Sequence, residues 1–280
     1  MATENPTFCI RNHFIIMLIG TAGFIIIQWL HPPLDLQLMP TSQSQKFRMD
    51  KDLVKTQTEW NIKFSVAIGL GLKYKQKISI KKMPFFTLLL DSFCRTTSEG
   101  YTYYFMIACD SSDEMFQSNT TRENFENYFL KMLAVNCTAS VRNNTSLHWT
   151  VTYNKGLPAR AQNDAMVAAY HHCNCDYYFR CVDDAIFETE GWTERLISGL
   201  QNMDPPNVGF VGPKIKNSPK NLITMEFVHR THFENFGHYY PYLFQSCWAD
   251  SWLNHVYSPT HKKVIEQVRY QIIHCKRAHK

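Results

Sequence analysis

Residues 176–187 read DYYFRCVDDAIF, an apolar and aromatic run that ends in two adjacent carboxylates before apolar residues resume. The β-branched and aromatic content of Tyr177 to Val182 predicts a buried strand. Burying a carboxylate without a partner is costly, so packing alone does not explain Asp183 and Asp184. Two hypotheses follow. The pair either ends the strand and caps the next segment, or it holds a hard divalent cation against a phosphate-bearing ligand.

The composition favours a folded protein that does not bind nucleic acid. The chain has 280 residues, 45% of them hydrophobic, which is enough for one large domain or two small ones. The formal charge is +5, and the basic residues are scattered. The densest group, Lys73 to Lys82, is typical of a solvated face, so nucleic acid is not an expected partner. Nine cysteines contain no pair of CxxC units, which argues against a structural zinc site.

The amino-terminal region predicts a membrane anchor. Residues 14–30 read FIIMLIGTAGFIIIQWL, an uncharged stretch at the short end for a membrane span. A cleaved signal peptide is the alternative, but no small-x-small cleavage site follows the stretch. We therefore predict a cytoplasmic tail at 1–13, a transmembrane signal anchor at 14–30, a stem or linker at 31–81 and a lumenal domain at 82–280.

Four sequons lie in one part of the chain. They are Asn119, Asn136, Asn143 and Asn144, and each begins an N-x-[ST] triplet. Their clustering between 119 and 146 predicts a single exposed flank that tolerates glycans. This position agrees with a lumenal body and a type II orientation.

Strands alternate with helices along the rest of the chain. The predicted strands are 85–90, 101–109, 147–153, 176–182 and 207–213, and the predicted helices are 161–173, 191–200 and the tail around Val264, Val268 and Ile272. The segment 60–72 is either an edge element or a weak membrane-associated stretch. The alternation predicts an α/β fold with a mostly parallel sheet flanked by helices.

Carboxylates follow several of the predicted strands. They are Asp91, Asp110, Asp113, Asp183 and Asp184. The carboxyl ends of parallel strands meet at one edge of a sheet, which is where α/β proteins bind their ligands. We therefore expect these side chains to converge on one site.

The segment 176–213, DYYFRCVDDAIFETEGWTERLISGLQNMDPPNVGFVGP, resembles the glycosyltransferases of the GT-A fold. The likeness continues in EFVHRTHFENFGHYYP (226–241) and WADSW (248–252), and spans roughly residues 84–259. With the anchor and stem, the pattern is similar to type II Golgi membrane enzymes with a DxD-like motif, in a eukaryotic group whose substrates are poorly assigned.

The resemblance implies a metal and nucleotide site. Asp183 and Asp184 occupy the DxD-like motif and would bind a divalent cation, manganese or magnesium, that bridges the diphosphate of a nucleotide sugar. His229 is a candidate for a further metal ligand. The candidates for contacts to the nucleotide sugar are Asp91, Asp110, Arg160 and Asp183. Arg160 suits phosphate because its planar fork bonds two oxygens at once.

The resemblance also implies a catalytic base. Asp250, between Trp248 and Trp252, stands where such enzymes carry an acidic residue, and Glu226 is the rival candidate. A carboxylate there would remove the proton of the acceptor hydroxyl. The chain departs from the group's pattern at Val182, where a polar residue is usual, and at Ser251, where a second acid is usual.

Three functions compete at this point. The leading hypothesis is a metal-dependent glycosyltransferase that moves a sugar from a nucleotide-sugar donor to a glycan, protein or lipid acceptor at the Golgi or endoplasmic reticulum membrane. The second is a catalytically degenerate, membrane-anchored binding protein, suggested by Val182 and Ser251. The third is a metal-dependent hydrolase, which ranks last because the sequence lacks the further acid and histidine clusters of a two-metal site.

Overall fold

The computed structural model describes residues 62–74, 78–216, 222–246, 248–257 and 260–273. The strands are β1 (Phe64–Leu72), β2 (Tyr101–Asp110), β3 (Thr145–Thr152), β4 (Tyr177–Arg180), β5 (Ala185–Phe187), β6 (Phe210–Ile215), β7 (Phe227–His229) and β8 (Lys262–Ile272). The helices are α1 (Asp91–Thr96), α2 (Asn119–Asn136), α3 (Ala139–Asn143), α4 (Pro158–Cys173), α5 (Trp192–Gln201), α6 (Thr231–Phe236) and α7 (Ala249–Val256).

The predicted cytoplasmic tail, the predicted span at 14–30 and most of the predicted stem lie outside these ranges. Across the described ranges, no helix is both long enough and apolar enough to cross a bilayer.

One eight-stranded sheet forms the centre of the described region, in the order β3-β2-β1-β4-β7-β6-β8-β5. The four strands β3, β2, β1 and β4 are parallel. β7 runs antiparallel to both β4 and β6, and β5 runs antiparallel to β8. The α/β class is therefore confirmed, but the sheet is mixed, and the predicted parallel arrangement holds for its first half and for the β6–β8 pair.

The strand β1 corrects the predicted boundary of the folded domain. Phe64–Leu72 lies at the centre of the parallel half, paired with β2 and β4, so the stem does not extend to residue 81. The helix that packs on this strand explains its two interior glycines. A Cβ on Gly69 would lie 2.1 Å from the sulfur of Met166, and one on Gly71 would lie 3.3 Å from Ala161. The glycines thus let α4 approach the sheet closely.

The segment 85–90, predicted as a strand, is helical and leads directly into α1. Pro84 precedes the helix, and its fixed φ suits a helix start. Phe85, Phe86, Leu89 and Leu90 are buried whereas Thr87 is exposed, which is a helical rather than an alternating pattern. A short apolar run does not distinguish the two structures, and here burial of one helical face decided the outcome.

The carboxyl-terminal tail, predicted as a helix, is the strand β8. Its pairing with β6 shifts register between Pro213 and Lys214, whose partners are Ile265 and Arg269. The irregularity interrupts the alternation of inward and outward side chains, so the buried residues Ile265, Val268 and Tyr270 are not all two apart. The helix was predicted from the spacing of Val264, Val268 and Ile272, of which only Val268 is buried.

The remaining predicted elements are confirmed with shifted ends. They are the strands β2, β3, β4 and β6 and the helices α4 and α5. α4 packs against β1 and β2, and its buried residues belong to one of the two apolar clusters of the described region.

Two disulfides occur among the described cysteines. Cys94 pairs with Cys137, which links α1 to the end of α2, and Cys173 pairs with Cys175 after α4. Cys109 and Cys181 are buried free thiols. The sequence left this connectivity open.

We predict that Cys94→Ser/Cys137→Ser lowers the free energy of unfolding by roughly 4 kcal/mol, because the bond closes a 43-residue loop and restricts the unfolded chain. Urea unfolding of the full-length protein in detergent measures the loss. The control is Cys173→Ser/Cys175→Ser, which opens a loop of sequence separation 2 and should cost much less. Equal losses in the two variants would contradict the loop-length argument.

Candidate functional site

The carboxyl ends of β1, β2 and β4 meet at one edge of the sheet and carry a polar network. Lys73, just after β1, donates to Asp110 at 2.8 Å and to Ser112 at 3.1 Å. Asp110, the last residue of β2, also accepts from the backbone N–H of Gly156 at 2.8 Å. The prediction that Asp110 lies at this edge is confirmed.

The surroundings of Asp110 favour its ionised form. It is buried, and burial alone would raise its pKa, but hydrogen bonds from Lys73, Ser112 and Gly156 hold the pKa well below the ordinary value. Both carboxylate oxygens already accept hydrogen bonds, because Ser112 bonds the second one. Asp110 therefore ties together the segments that follow β1, β2 and β3. Lys73 is the partly exposed partner in this ion pair, with 37% of its side chain exposed.

Tyr74 links two of the acidic residues at the same edge. Its backbone N–H donates to Asp113 at 2.8 Å, and its hydroxyl donates to Asp183 at 2.7 Å. Asp183 and Asp184 form the turn between β4 and β5, and both are half-buried. The backbone carbonyl of Asp184 accepts from the N–H of Ile273, which anchors the turn to the end of β8.

The donor chemistry of this turn fits a hard divalent cation. Asp183 and Asp184 present carboxylate oxygens, which manganese and magnesium prefer. Within the described ranges, no group of three histidine, cysteine or acidic side chains gathers tightly enough to hold a metal. Magnesium-type ions are often bound by one or two carboxylates with phosphate oxygens completing the shell, so the pair suits a cation that arrives with a diphosphate.

His229 is not part of this group, contrary to the prediction. It pairs with Tyr177 at the amino-terminal end of β4, whereas Asp183 follows the carboxyl-terminal end. The strand between these positions, Tyr177–Arg180, already spans roughly 10 Å, and Asp183 lies three residues beyond its end. His229 therefore cannot share a metal with Asp183 and Asp184.

Two further predicted contacts lie elsewhere or are already engaged. Asp91 begins the helix α1 and forms an exposed ion pair with Arg95, so the strand end that suggested a nucleotide contact does not exist. Arg160 lies in the first turn of α4, at the predicted edge, but its Nε donates to the carbonyl of Tyr242 at 2.9 Å. Arg160 thereby holds the segment that leads to α7.

A cavity of about 340 Å³ opens beside the edge, on the face of the sheet that α4 covers. Gln162, Arg180, Trp248 and Asp250 are among its lining residues. Arg180, the last residue of β4, donates through Nε to Gln162 at 2.9 Å and through Nη1 to the carbonyl of Thr224. The guanidinium is thus fixed in the wall of the cavity.

Glu226 lies behind this wall and is fully buried. One carboxylate oxygen accepts from Tyr240 at 2.9 Å, whereas the other has no hydrogen-bond partner among the described residues. Burial raises the pKa of Glu226 to about 7, although the nearby Arg180 charge opposes this effect. Burial also disfavours the charge of Arg180, but the charges of Tyr240, Glu226 and Asp250 raise its pKa.

The two predicted catalytic acids therefore meet around one arginine. Asp250, in the first turn of α7, lines the cavity and is half-buried. Glu226 is beyond the reach of a ligand in the cavity because none of its surface is exposed. The aromatic residues Tyr239 and Tyr240 are also buried, so they pack in the core and do not stack on a ligand.

Three polar residues of this region were not predicted from the sequence. Lys73 was interpreted as part of a solvated face, and Arg180 and Gln162 were not singled out. The signal for Arg180 was available, since a charged residue stands inside an apolar strand two residues before Val182. Gln162 carried no such signal, because its role depends on how α4 lies over β4.

The four sequons share one flank, formed by α2, α3 and the following residue. Asn119 and Asn143 are exposed, whereas Asn136 and Asn144 are half-buried. The side-chain amide of Asn144 donates to the carbonyl of Ser140 at 2.9 Å, so its nitrogen is already bonded. The flank lies beside β3, at the sheet edge away from β5.

Of three comparisons with known proteins, only the one with solved structures found similar chains. No protein-family model matches the sequence, and no curated protein matches it. The chain is similar in structure to TarS of S. aureus, with a TM-score of 0.47 and 14% identity over 75% of this chain and 36% of that chain. It is also similar to residues 1–349 of TarS in complex with UDP, with a TM-score of 0.46 and 10% identity over 74% and 60% of the two chains.

We predict that the buried Glu226 makes stability depend on pH. Its pKa rises from 4.5 to about 7 on folding, so the neutral acid favours the folded state below pH 4.5 and this stabilisation is lost as pH rises through 7. The shift corresponds to about 3 kcal/mol. Urea unfolding of the wild type and of Glu226→Gln between pH 4.5 and 8 should show that the wild type loses about this much relative to the variant. Parallel pH profiles would contradict the assignment.

Proposed function

We propose that this chain is a metal-dependent glycosyltransferase that moves a sugar from a nucleotide-sugar donor to a glycan, protein or lipid acceptor in the secretory pathway. The observation that carries the proposal is a juxtaposition at the carboxyl edge of the sheet. An acidic turn with oxygen donors, Asp183 and Asp184, follows the same strand whose last residue, Arg180, lines a cavity that also contains Asp250. The motif resemblance supports the same function.

In this proposal the acidic turn holds the donor. Asp184 and Asp183 would bind manganese or magnesium together with the diphosphate, and Tyr74 positions Asp183 through its hydroxyl hydrogen bond. The bound cation supplies Lewis-acid stabilisation of the negative charge on the departing diphosphate. The partly exposed ammonium of Lys73, fixed by Asp110, adds a positive charge at the same edge.

Asp250 is the better of the two candidate bases. It lines the cavity, so its carboxylate can accept the proton of an acceptor hydroxyl bound there. Glu226 acts through Arg180 and is a positioning residue, because it is fully buried. Tyr240 holds Glu226 in place with a hydrogen bond to one of its oxygens.

Three features support a lumenal body with a type II anchor. The apolar stretch at 14–30 has the composition of a span. Two disulfides occur among the described cysteines, and such bonds persist in oxidising compartments. The sequons lie together on one flank, and two of their asparagines are exposed. The Golgi or endoplasmic reticulum membrane is the compartment we propose.

A catalytically degenerate binding protein is the second candidate. The residues Val182 and Ser251 replace polar and acidic residues of the group's pattern. In addition, one oxygen of Asp183 already accepts a hydrogen bond from Tyr74, and both oxygens of Asp110 accept hydrogen bonds. If this second function is the right one, the acidic side chains at the sheet edge stabilise the fold, and the protein binds a ligand without transferring a sugar.

We expect full-length protein in detergent to bind a nucleoside diphosphate in the presence of Mn²⁺. Calorimetry with UDP, GDP and CDP measures the affinity. Asp184→Asn should weaken binding at least ~10-fold, which is about 1.4 kcal/mol, because it removes a charged metal ligand. Asp204→Asn, an exposed carboxylate away from the edge, is the matched control.

Failure of all three nucleotides to bind would refute the glycosyltransferase proposal. Binding without any transfer or hydrolysis of the corresponding nucleotide sugar would favour the degenerate candidate. Near-ultraviolet circular dichroism of Asp184→Asn separates a loss of ligand from a loss of fold.

We predict that the overlapping sequons are used at Asn143. Its side chain is exposed, whereas the amide of Asn144 bonds Ser140. Treatment with an N-glycosidase after expression in secretory-competent cells should shift the gel mobility. Asn143→Gln keeps only the triplet that begins at Asn144 and should remove one step of that shift. Asn144→Gln keeps only the triplet that begins at Asn143 and should leave the shift intact. A chain that carries no glycan at all would argue against the lumenal orientation.

A further inference from the structure

The wall of the cavity beside β4 contains an arginine whose position is fixed by hydrogen bonds. Arg180 is anchored by Gln162 and by the carbonyl of Thr224, and it lines the cavity. Placing a guanidinium at a buried strand end is costly, and a buried ion pair is weak evidence for stability. An arginine held in this way presents a directed donor to whatever occupies the cavity.

The charges around Arg180 indicate what that occupant is. The nearby carboxylates of Glu226 and Asp250 oppose its positive charge. The charges of one guanidinium, the half-buried Asp250 and the buried Glu226 sum to zero or to a negative value. An anionic ligand would meet no net attraction here and would lie next to the carboxylate of Asp250. A neutral ligand that both donates and accepts hydrogen bonds matches this set, since Arg180 donates and Asp250 accepts.

Trp248 adds an aromatic surface at the mouth of the cavity. Its relative exposure is 66%, so burial of the indole contributes little to the stability of the fold. Its φ is +70°, a region that is costly for a bulky side chain and free for glycine. Neither packing nor backbone geometry explains a tryptophan at this position. Strained, exposed residues of this kind cluster at ligand sites, and an indole face suits the apolar C–H face of a sugar ring.

We propose that this cavity binds one uncharged pyranose ring, which stacks on Trp248 and bonds Arg180 and Asp250 through its hydroxyl groups. The volume, about 340 Å³, lies at the lower end of the range for small-molecule sites and suits a single ring. The inference deepens the proposed glycosyltransferase function and rests on it, because it assigns the substrate class of the same site. Arg180 and Asp250 are its specificity determinants, and uronic and sialic acids are excluded.

The test is saturation-transfer NMR on full-length protein in detergent. The probes are the methyl β-glycosides of glucose, galactose and N-acetylglucosamine, with methyl β-glucuronide as the anionic probe. Each is measured alone and with Mn²⁺ plus the nucleoside diphosphate that binds most tightly. We expect at least one neutral glycoside to receive saturation and the glucuronide to receive none.

Three variants assign the contacts. Trp248→Gly should lose the signal without lowering the melting temperature, because glycine adopts φ +70° without strain. Trp248→Phe keeps an aromatic face and should restore at least part of the signal. Asp250→Asn should weaken binding of the neutral glycoside about 10-fold, the factor that corresponds to one hydrogen bond to a charged group. It should also allow the glucuronide to bind, and Asp204→Asn serves as the matched control.

Two results would overturn the inference. One is a lack of saturation for every neutral glycoside in both conditions, and the other is equal saturation for the glucuronide in the wild type. If nucleotide binding with Mn²⁺ is intact in either case, the proposed function stands and only the assignment of this cavity falls. If glycosides bind as expected while no nucleotide does, the cavity assignment stands and the transferase proposal falls.

Discussion

The close approach of α4 to β1 is the contact on which the rest of the site depends. It is possible because Gly69 carries no Cβ, since that atom would lie 2.1 Å from the Met166 sulfur. The contact places the first turns of α4 over the carboxyl edge of the sheet. There Arg160 binds the carbonyl of Tyr242, and Asn163 accepts from the backbone N–H groups of Tyr239 and Tyr240. One helix therefore holds the segment that carries both Tyr240 and, further along, Asp250.

The polar groups at this edge fall into two sets with different physical roles. Lys73, Asp110 and Ser112 bond one another and fix the ends of the strands. Arg180 lines the cavity and Glu226 lies buried behind it, where the charge of Arg180 opposes the burial that raises the pKa of Glu226, and one Glu226 oxygen lacks a hydrogen-bond partner among the described residues. A fold seldom retains such an arrangement for stability alone, so it indicates where ligand chemistry is to be sought.

Sequence reasoning was accurate where a local pattern was strong and failed where a distant contact decided. The strand before Asp183 and the helix α4 were predicted because their apolar periods are clear. The segment of β1 was predicted only as an edge element or a membrane-associated stretch, because its central place in the sheet depends on the distant strands β2 and β4 and on the packing of α4 against its glycines. The helix before Asp91 was mistaken for a strand because a six-residue apolar run fits both structures. The irregular pairing of β8 hid its alternation in the same way.

By itself, the sequence determined that this is an α/β protein with an acidic turn after a buried strand and a cluster of sequons, since apolar runs, carboxylates and sequons are local properties. Only the tertiary structure decided which of the predicted residues meet. It placed Asp250 and Glu226 around Arg180, and it put His229 at the opposite end of β4, because strand direction and register set these distances. It also moved Asp91 into a helix, because the burial of one apolar face outweighed the appearance of a strand.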